Sequence, residues 1–169
     1  MERKLLISDL RMEYEGLFDS NDFFKLIEDW FKQNGYNKNE LKHIERVTDK
    51  GKFINLEIMP WKEVNDYTRY EIYLRIVVRD LVEATVKKAK LQHKINKGKI
   101  SISIDAFLAT DIKHRWESRP LYFFLRTLFE KFVNREHIST FEKGLMNDVK
   151  NFHSEMKAYL NLGRYTTPA

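Results

Sequence analysis

The chain has 169 residues, 43% hydrophobic and 14% aromatic, with 30 Lys and Arg against 25 Asp and Glu for a formal net charge of +5. That length fits a single domain over residues 1–169, with enough apolar content to bury a core without disulfide or metal staples, which excludes global disorder. Cysteine is absent, which excludes disulfide frameworks, thiolate-bound zinc or iron–sulfur centres and thiol nucleophiles, and permits a reducing compartment.

Charges at Glu2, Arg3, Lys4 and Asp9 surround a single short apolar run, so no secretory h-region is legible there. No stretch approaches the roughly 18 apolar residues of a membrane-spanning helix, and a cytoplasmic protein with no membrane span is expected. Residue usage is rich in Lys, Asn, Ile, Phe and Tyr, as AT-biased coding produces. Surplus positive charge therefore points to a partner only where it clusters on one surface.

From Leu10 to Phe18 apolar residues alternate (Leu10, Met12, Tyr14, Phe18) with Arg11, Glu13 and Glu15 between them, the period of a half-buried strand. Gly16 interrupts the series and predicts a bend or a close backbone approach. Ser20 or Asn21 is the expected N-cap, with Asp22 in the first turn, of a helix whose inner face is Phe23, Ile27, Trp30 and Phe31 and whose stop is Gly35. His43 to Asp49 and Lys52 to Pro60 then flank Asp49-Lys50-Gly51 as a hairpin.

Tyr70, Ile72, Leu74, Ile76 and Val78 make the strongest strand signal, with Glu71, Tyr73, Arg75 and Arg79 on the opposite parity. The apolar parity continues through Val82, Ala84 and Val86 and then switches to Ala89, Leu91 and Ile95, which predicts a bulge or a strand break near Lys87 and Lys88. Asn96-Lys97-Gly98 is the expected turn, and Ile100, Ile102, Ile104, Ala106 and Leu108 form the returning strand. Ser118 and Pro120 open a helix carrying Leu121, Phe124, Leu125, Leu128, Phe129 and Phe132. A long helix follows, with its seam along Ile138, Phe141, Leu145, Val149, Phe152, Met156, Tyr159 and Leu160. Only Met1 to Lys4 and Tyr165 to Ala169 are expected to fray.

The order β-α-β-β-β-β-β-α-α predicts an α+β fold in which a curved antiparallel sheet of about six strands packs on a long C-terminal helix. It is similar to the helix-grip arrangement of the START and Bet v 1 superfamily, a resemblance of topology that implies an apolar ligand held between sheet and helix. This chain has one helix, not two, after its first strand, and lacks the glycine-rich loop of many members. The segments Tyr14-Glu15-Gly16-Leu17-Phe18-Asp19, Asp29-Trp30-Phe31-Lys32-Gln33-Asn34-Gly35-Tyr36 and Asn96-Lys97-Gly98-Lys99-Ile100 resemble those of uncharacterised small archaeal proteins. That likeness implies a shared fold and no particular chemistry.

Neither a G-x-S-x-G elbow nor a glycine-rich phosphate loop occurs. The five histidines, His43, His93, His114, His137 and His153, are dispersed without metal-ligand spacing, so no metal and no cofactor is expected. Glu13 and Glu15 share a strand face as an acid–base pair would, or simply as the solvated side of that strand. Asp105, Asp111 and His114 flank the end of the last strand and make a site only if the fold brings them together.

The sharpest local anomaly is basic. No acid occurs between Glu83 and Asp105, while Lys87, Lys88, Lys90, Lys94, Lys97 and Lys99 do, with His93. Lys88, Lys90 and Lys94 are expected on one side of a hairpin, with Lys97 and Lys99 at its tip. Such a finger, with Lys113, Arg115 and Arg119, suits RNA or a ribonucleoprotein through phosphate contacts. The same lysines would also discourage edge-to-edge pairing of an exposed hairpin. The segment lacks aromatics and arginine, so base reading and stacking are not expected.

An alternative is a carrier of an apolar small molecule or lipid, lined by Tyr70, Ile72, Leu74, Ile102, Ile104, Trp116, Phe152 and Met156. A further one is a protein–protein or homodimer module using Tyr122 and Phe123. Tyr73 stands apart on the polar parity, where a tyrosine closing the core with its hydroxyl wet competes with a pocket or partner surface.

Overall fold

Alternation of apolar and polar side chains lets one face of a strand be dry while the other is wet, and this chain uses that rule over most of its length. The computed structural model describes residues 1–88, 91–110 and 135–164, with side chains for 1–85, 94–110 and 139–161. The elements are β1 (Glu2–Phe18), α1 (Ser20–Gln33), β2 (Glu40–Thr48), β3 (Gly51–Ile58), β4 (Trp61–Glu63), β5 (Thr68–Lys88), β6 (Leu91–Thr110) and α2 (Arg135–Arg164). The strands form one open antiparallel sheet in the order β1-β6-β5-β3-β2, with β4 also pairing with β5. The fold is α+β with six strands and a long C-terminal helix, as expected; the anticipated helix from Ser118 to Phe132 lies outside the described residues.

The inner face of the sheet buries Tyr70, Ile72, Leu74, Ile76 and Val78 from β5 with Ile100, Ile102, Ile104, Ala106 and Leu108 from β6. Against it α1 sets Phe23, Ile27, Trp30 and Phe31, and α2 sets Leu145, Val149, Phe152, Met156 and Leu160, in one continuous core. Phe152 joins the two helices through ring contacts, 5.0 Å from Trp30 and 4.9 Å from Phe31 between centroids.

The N-cap of α1 is Asp19, one residue before the expected position, because its carboxylate accepts the Asp22 N–H at 3.0 Å. Ser20 instead donates its hydroxyl to Asn96 Oδ1 at 2.9 Å, tying the helix start to β6. The helix ends as Gly35 predicts. Gly35 adopts φ 77, its N–H reaches Lys32 O, and Tyr36 N–H reaches back to Phe31 O.

Four other expectations change. β1 begins at Glu2, not Leu10, and residues 2–4 are held by cross-strand pairing to β6 and by two ion pairs, Arg3 with Glu71 at 2.7 Å and Lys4 with Glu142 at 2.6 Å. A bulge between Ile7 and Leu10, with Asp9 at φ 51, breaks the alternation that would have revealed this half of the strand. β4 carries too few residues to show a period; Arg69 lies over its Trp61 ring at 4.5 Å.

β5 ends at Lys88 and β6 begins at Leu91, so the parity switch marks the strand break and not a bulge; the bulge in β5 lies between Arg79 and Val82, where it turns Leu81 inward (7% exposed) and Val82 outward (41% exposed). Asn96-Lys97-Gly98 is no turn: it is strand, paired with β1 on one side and β5 on the other. Gly98 is there because the bulge crowds it, with Arg79 O only 3.1 Å from where a Cβ would sit.

Gly144 solves a second crowding problem. It lies within α2, where glycine costs about 1 kcal/mol relative to alanine, and a Cβ there would sit 2.5 Å from the Tyr70 hydroxyl. The hydroxyl makes the glycine necessary. Gly144→Ala is therefore expected to destabilise by roughly 1–2 kcal/mol despite its better helix propensity. The Tyr70→Phe/Gly144→Ala double variant is expected to recover most of that loss. Urea unfolding midpoints measure both, and a Gly144→Ala chain more stable than wild type would contradict the packing account.

Candidate functional site

β5 and β6 outrun their neighbours. The last β3 pairing with β5 is Lys52↔Leu81 and the last β1 pairing with β6 is Phe18↔Asn96, whereas β5 and β6 remain paired to Lys88↔Leu91. Beyond the bulge, Val82–Lys88 and Leu91–Ile95 thus form a two-stranded arm with no flanking strand among the described residues. Seven residues of extended strand reach roughly 23 Å. The arm, residues 82–95, carries four lysines against one glutamate, a net +3 out of the chain's +5.

The lysines do not sit as the expected turn placed them. β5 and β6 stay paired as far as Lys88↔Leu91, so Lys87 and Lys88 lie at the far end of the ladder, while Lys97 and Lys99 stand at the root beside β1; Lys90 lies outside the described residues. The register sets Lys87 opposite Gln92 and Thr85 opposite Lys94. At the root, acids answer the charge: Lys94 is 3.7 Å from Glu83, and Lys99 is 3.8 Å from both Glu15 and Asp80. These exposed pairs are weak but cancel field locally, so the arm's surplus charge is concentrated toward its tip. An open cleft of about 440 Å³ lies at the root, between the start of α1 (Asp19, Ser20), Lys52 and the arm residues Glu83 and Lys94. Lys113, Arg115, Trp116 and Arg119 lie outside the described residues.

The outer face of the sheet holds a second constellation, which sequence reasoning missed. In the β1 bulge, Asp9 N–H donates to Asp105 Oδ1 at 2.6 Å, and Asp9 Oδ1 accepts the Ser103 hydroxyl at 2.7 Å. Arg11 Nε donates to Asp9 Oδ2 at 2.7 Å, while Arg75 Nη2 donates to Ser103 Oγ at 2.9 Å and Asp105 Oδ2 at 3.0 Å. The shift of apolar parity between Ile7 and Leu10 was the available signal, because a bulge re-aims the polar side chains around it. Tyr73 is also on this face, its hydroxyl donating to Glu57 Oε2 at 2.5 Å and Arg75 lying 5.3 Å from its ring centroid. That bond holds the Glu57 carboxyl below its usual range and raises the Tyr73 phenol.

Chemically this face is a self-neutralising lattice. Glu13 lines a groove of about 290 Å³ with Arg11, Arg75 and Arg79, and Glu15 faces Lys99. Asp105 is tied to Arg75, while Asp111 and His114 lie outside the described residues. Among the described residues no three His, Asp or Glu side chains gather to hold a metal ion, and no helix is long and apolar enough to cross a membrane.

The apolar-ligand set is placed in the core. Ile72, Leu74, Ile104, Phe152 and Met156 have no accessible surface, and Ile102 retains 2% and Tyr70 6%, so these side chains are part of the packed core. The chain matches no protein-family model, no curated protein and no solved structure.

The Arg11 and Ser103 hydrogen bonds together hold Asp9 at a pKa of about 2 against an ordinary 3.8. A depressed carboxyl favours the folded state above the unfolded value and ceases to do so as pH falls through the folded one, so this contribution disappears between pH 3.8 and about 2. Carboxyl-carbon NMR titration is expected to give Asp9 a midpoint near 2 in the wild type, and a higher one in both Arg11→Ala and Ser103→Ala. An Asp9 midpoint unmoved by Arg11→Ala would contradict the network.

Proposed function

We propose that this domain is a non-enzymatic binding module that holds a polyanionic partner, RNA or a ribonucleoprotein, with the tip of the β5–β6 arm. The observation carrying the reading is the arm itself, a two-stranded ribbon with no flanking strand among the described residues, which concentrates +3 of charge on residues 82–95. A cation cluster held away from the acids of the sheet attracts phosphates more strongly than one lying among them, because each neighbouring carboxylate offsets a lysine. The arm has no arginine and no aromatic residue, so binding is to backbone phosphates and tolerates sequence.

The apolar-carrier reading and the helix-grip resemblance draw support from the long C-terminal helix lying on the sheet. They require α2 to lift away, since the side chains they invoke now fill one another's space. The arm needs no such rearrangement.

The test is binding of a fluorescent single-stranded RNA across a salt series. Four lysine contacts at about −0.7 each give a log–log slope near −3 for wild type. The combined Lys87→Glu, Lys88→Glu, Lys90→Glu and Lys94→Glu variant is expected to bind at least tenfold more weakly, with its salt slope largely gone. Unchanged affinity in that variant, or wild-type affinity indifferent to salt, would overturn the proposal.

A further inference from the structure

The helix-side face of the sheet is apolar as far as β3 and polar beyond it. Ile54, Leu56 and Ile58 carry the dry parity on β3, but β2 sets Glu45 opposite Ile54, His43 opposite Leu56 and Glu40 opposite Ile58. Between α1 and these two strands a hollow of about 250 Å³ remains. Its walls are Ile27 and Ile58, which belong to the buried core, and Phe24 and Leu56, which are partly buried beside it. An apolar hollow that opens from the core beneath a few converging polar groups is the usual form of a small-molecule site.

The polar groups form one chain of charged and hydrogen-bonding side chains along the rim. Lys38, in the link after α1, bridges Glu28 of the helix to Glu40 of β2, the latter at 3.8 Å. His43 then lies between Glu40 and Glu45, at 3.7 Å and 3.0 Å, and Lys52 of β3 closes the chain on Glu45. The Lys52 hydrogen bond holds the Glu45 carboxyl below its usual range, so it is charged at neutral pH. Three carboxylates thus meet two ammonium groups. With histidine counted neutral, the rim has one negative charge in excess, on a chain whose net charge is +5. Glu40, His43 and Glu45 do not gather closely enough to hold a metal ion.

We propose that this hollow binds a small organic cation, a molecule with an apolar body and one ammonium group. The occupant follows from charge complementarity. The walls take the body out of water, a gain proportional to the apolar area covered. The head stays at the rim beside Glu40 and Glu45, 39% and 43% exposed, where an ammonium keeps part of its hydration and gains a charge-assisted hydrogen bond. An apolar anion would meet the surplus carboxylate, and an uncharged molecule would leave it unanswered. Lys38 shows what the rim accepts, because its own ammonium is held between Glu28 and Glu40. The same lysine therefore competes with the ligand. This site is independent of the arm and of the RNA reading, and it needs no movement of α2.

Three probes with one apolar body and different charge test the assignment: phenylbutylamine, phenylbutanol and phenylbutyrate. Methyl NMR of the full chain during titration should show the amine moving the Ile27, Leu56 and Ile58 signals. Its affinity should be about tenfold above that of the carboxylate, with the alcohol between them. Glu40→Gln combined with Glu45→Gln changes two exposed side chains without changing their shape. That variant should bring the amine down to the alcohol's affinity and leave the alcohol's unchanged. Lys38→Gln should act in the opposite direction and tighten the amine, an effect that damage to the fold does not produce. Methyl signals at these residues that no probe moves, equal affinity for all three probes, an amine preference that survives the glutamate changes, or weaker amine binding by Lys38→Gln would each overturn the proposal.

Discussion

The antiparallel pairing of β5 with β6 organises everything else, from Thr68↔Thr110 at one end to Lys88↔Leu91 at the other. Over its first half the inner parity of both strands is a run of Ile, Leu and Val that α1 and α2 cover, and burial of that apolar area is the main favourable term in such a fold. At the bulge between Arg79 and Val82 the rule changes. Leu81 is the last buried β5 side chain among those described, Val82 faces water, and the flanking strands soon stop pairing. Gly51 and Gly98 press on the bulge from either side, a Cβ at Gly51 falling 2.8 Å from Leu81 O. One ladder is therefore core at one end and, among the described residues, a ribbon without flanking strands at the other.

Charge follows the same division. On the outer sheet face Asp9, Asp105, Glu57 and Glu15 each lie near an Arg or Lys. Such surface pairs add little stability one by one, but they leave that face close to neutral. Asp9 is the most constrained member, with a positive φ that non-glycine residues seldom adopt. It is kept there by three hydrogen-bonded partners of its backbone and side chain, Asp105, Arg11 and Ser103. The arm has one acid, Glu83, and that residue is spent on Lys94 at the root. What distinguishes the tip is thus the absence of neighbouring carboxylates in the sequence between Glu83 and Asp105.

Periodicity made much of this legible. The buried faces of α1, β5, the second half of β6 and α2 follow directly from spacing, since a period of two or of three and four reports which side is dry. Local exceptions hid the remainder. The bulge at Asp9 concealed the first half of β1, and Asp19 took the capping role from Ser20 because Ser20 is engaged by Asn96. Asn96-Lys97-Gly98 has turn composition, yet Gly98 answers to a close approach by the opposite strand, information that no local window contains. Because β5 and β6 pair past Lys97 as far as Lys88↔Leu91, the lysines at the far end of the ladder differ from those expected, while the cluster itself was plain in the sequence. The network of Asp9, Ser103, Arg75 and Asp105 joins residues far apart in the chain and gave only the parity shift as a hint.

The central claim is that the ribbon, and not the sheet, meets the polyanion. Amide NMR mapping during titration with a short single-stranded RNA tests it residue by residue. The account predicts that shift changes concentrate on residues 82–95 and fade across the bulge, leaving the β1, β3 and α2 amides unmoved. Changes centred on the outer sheet face around Arg11, Arg75 and Ser103, or on the inner core beneath α2, would contradict it.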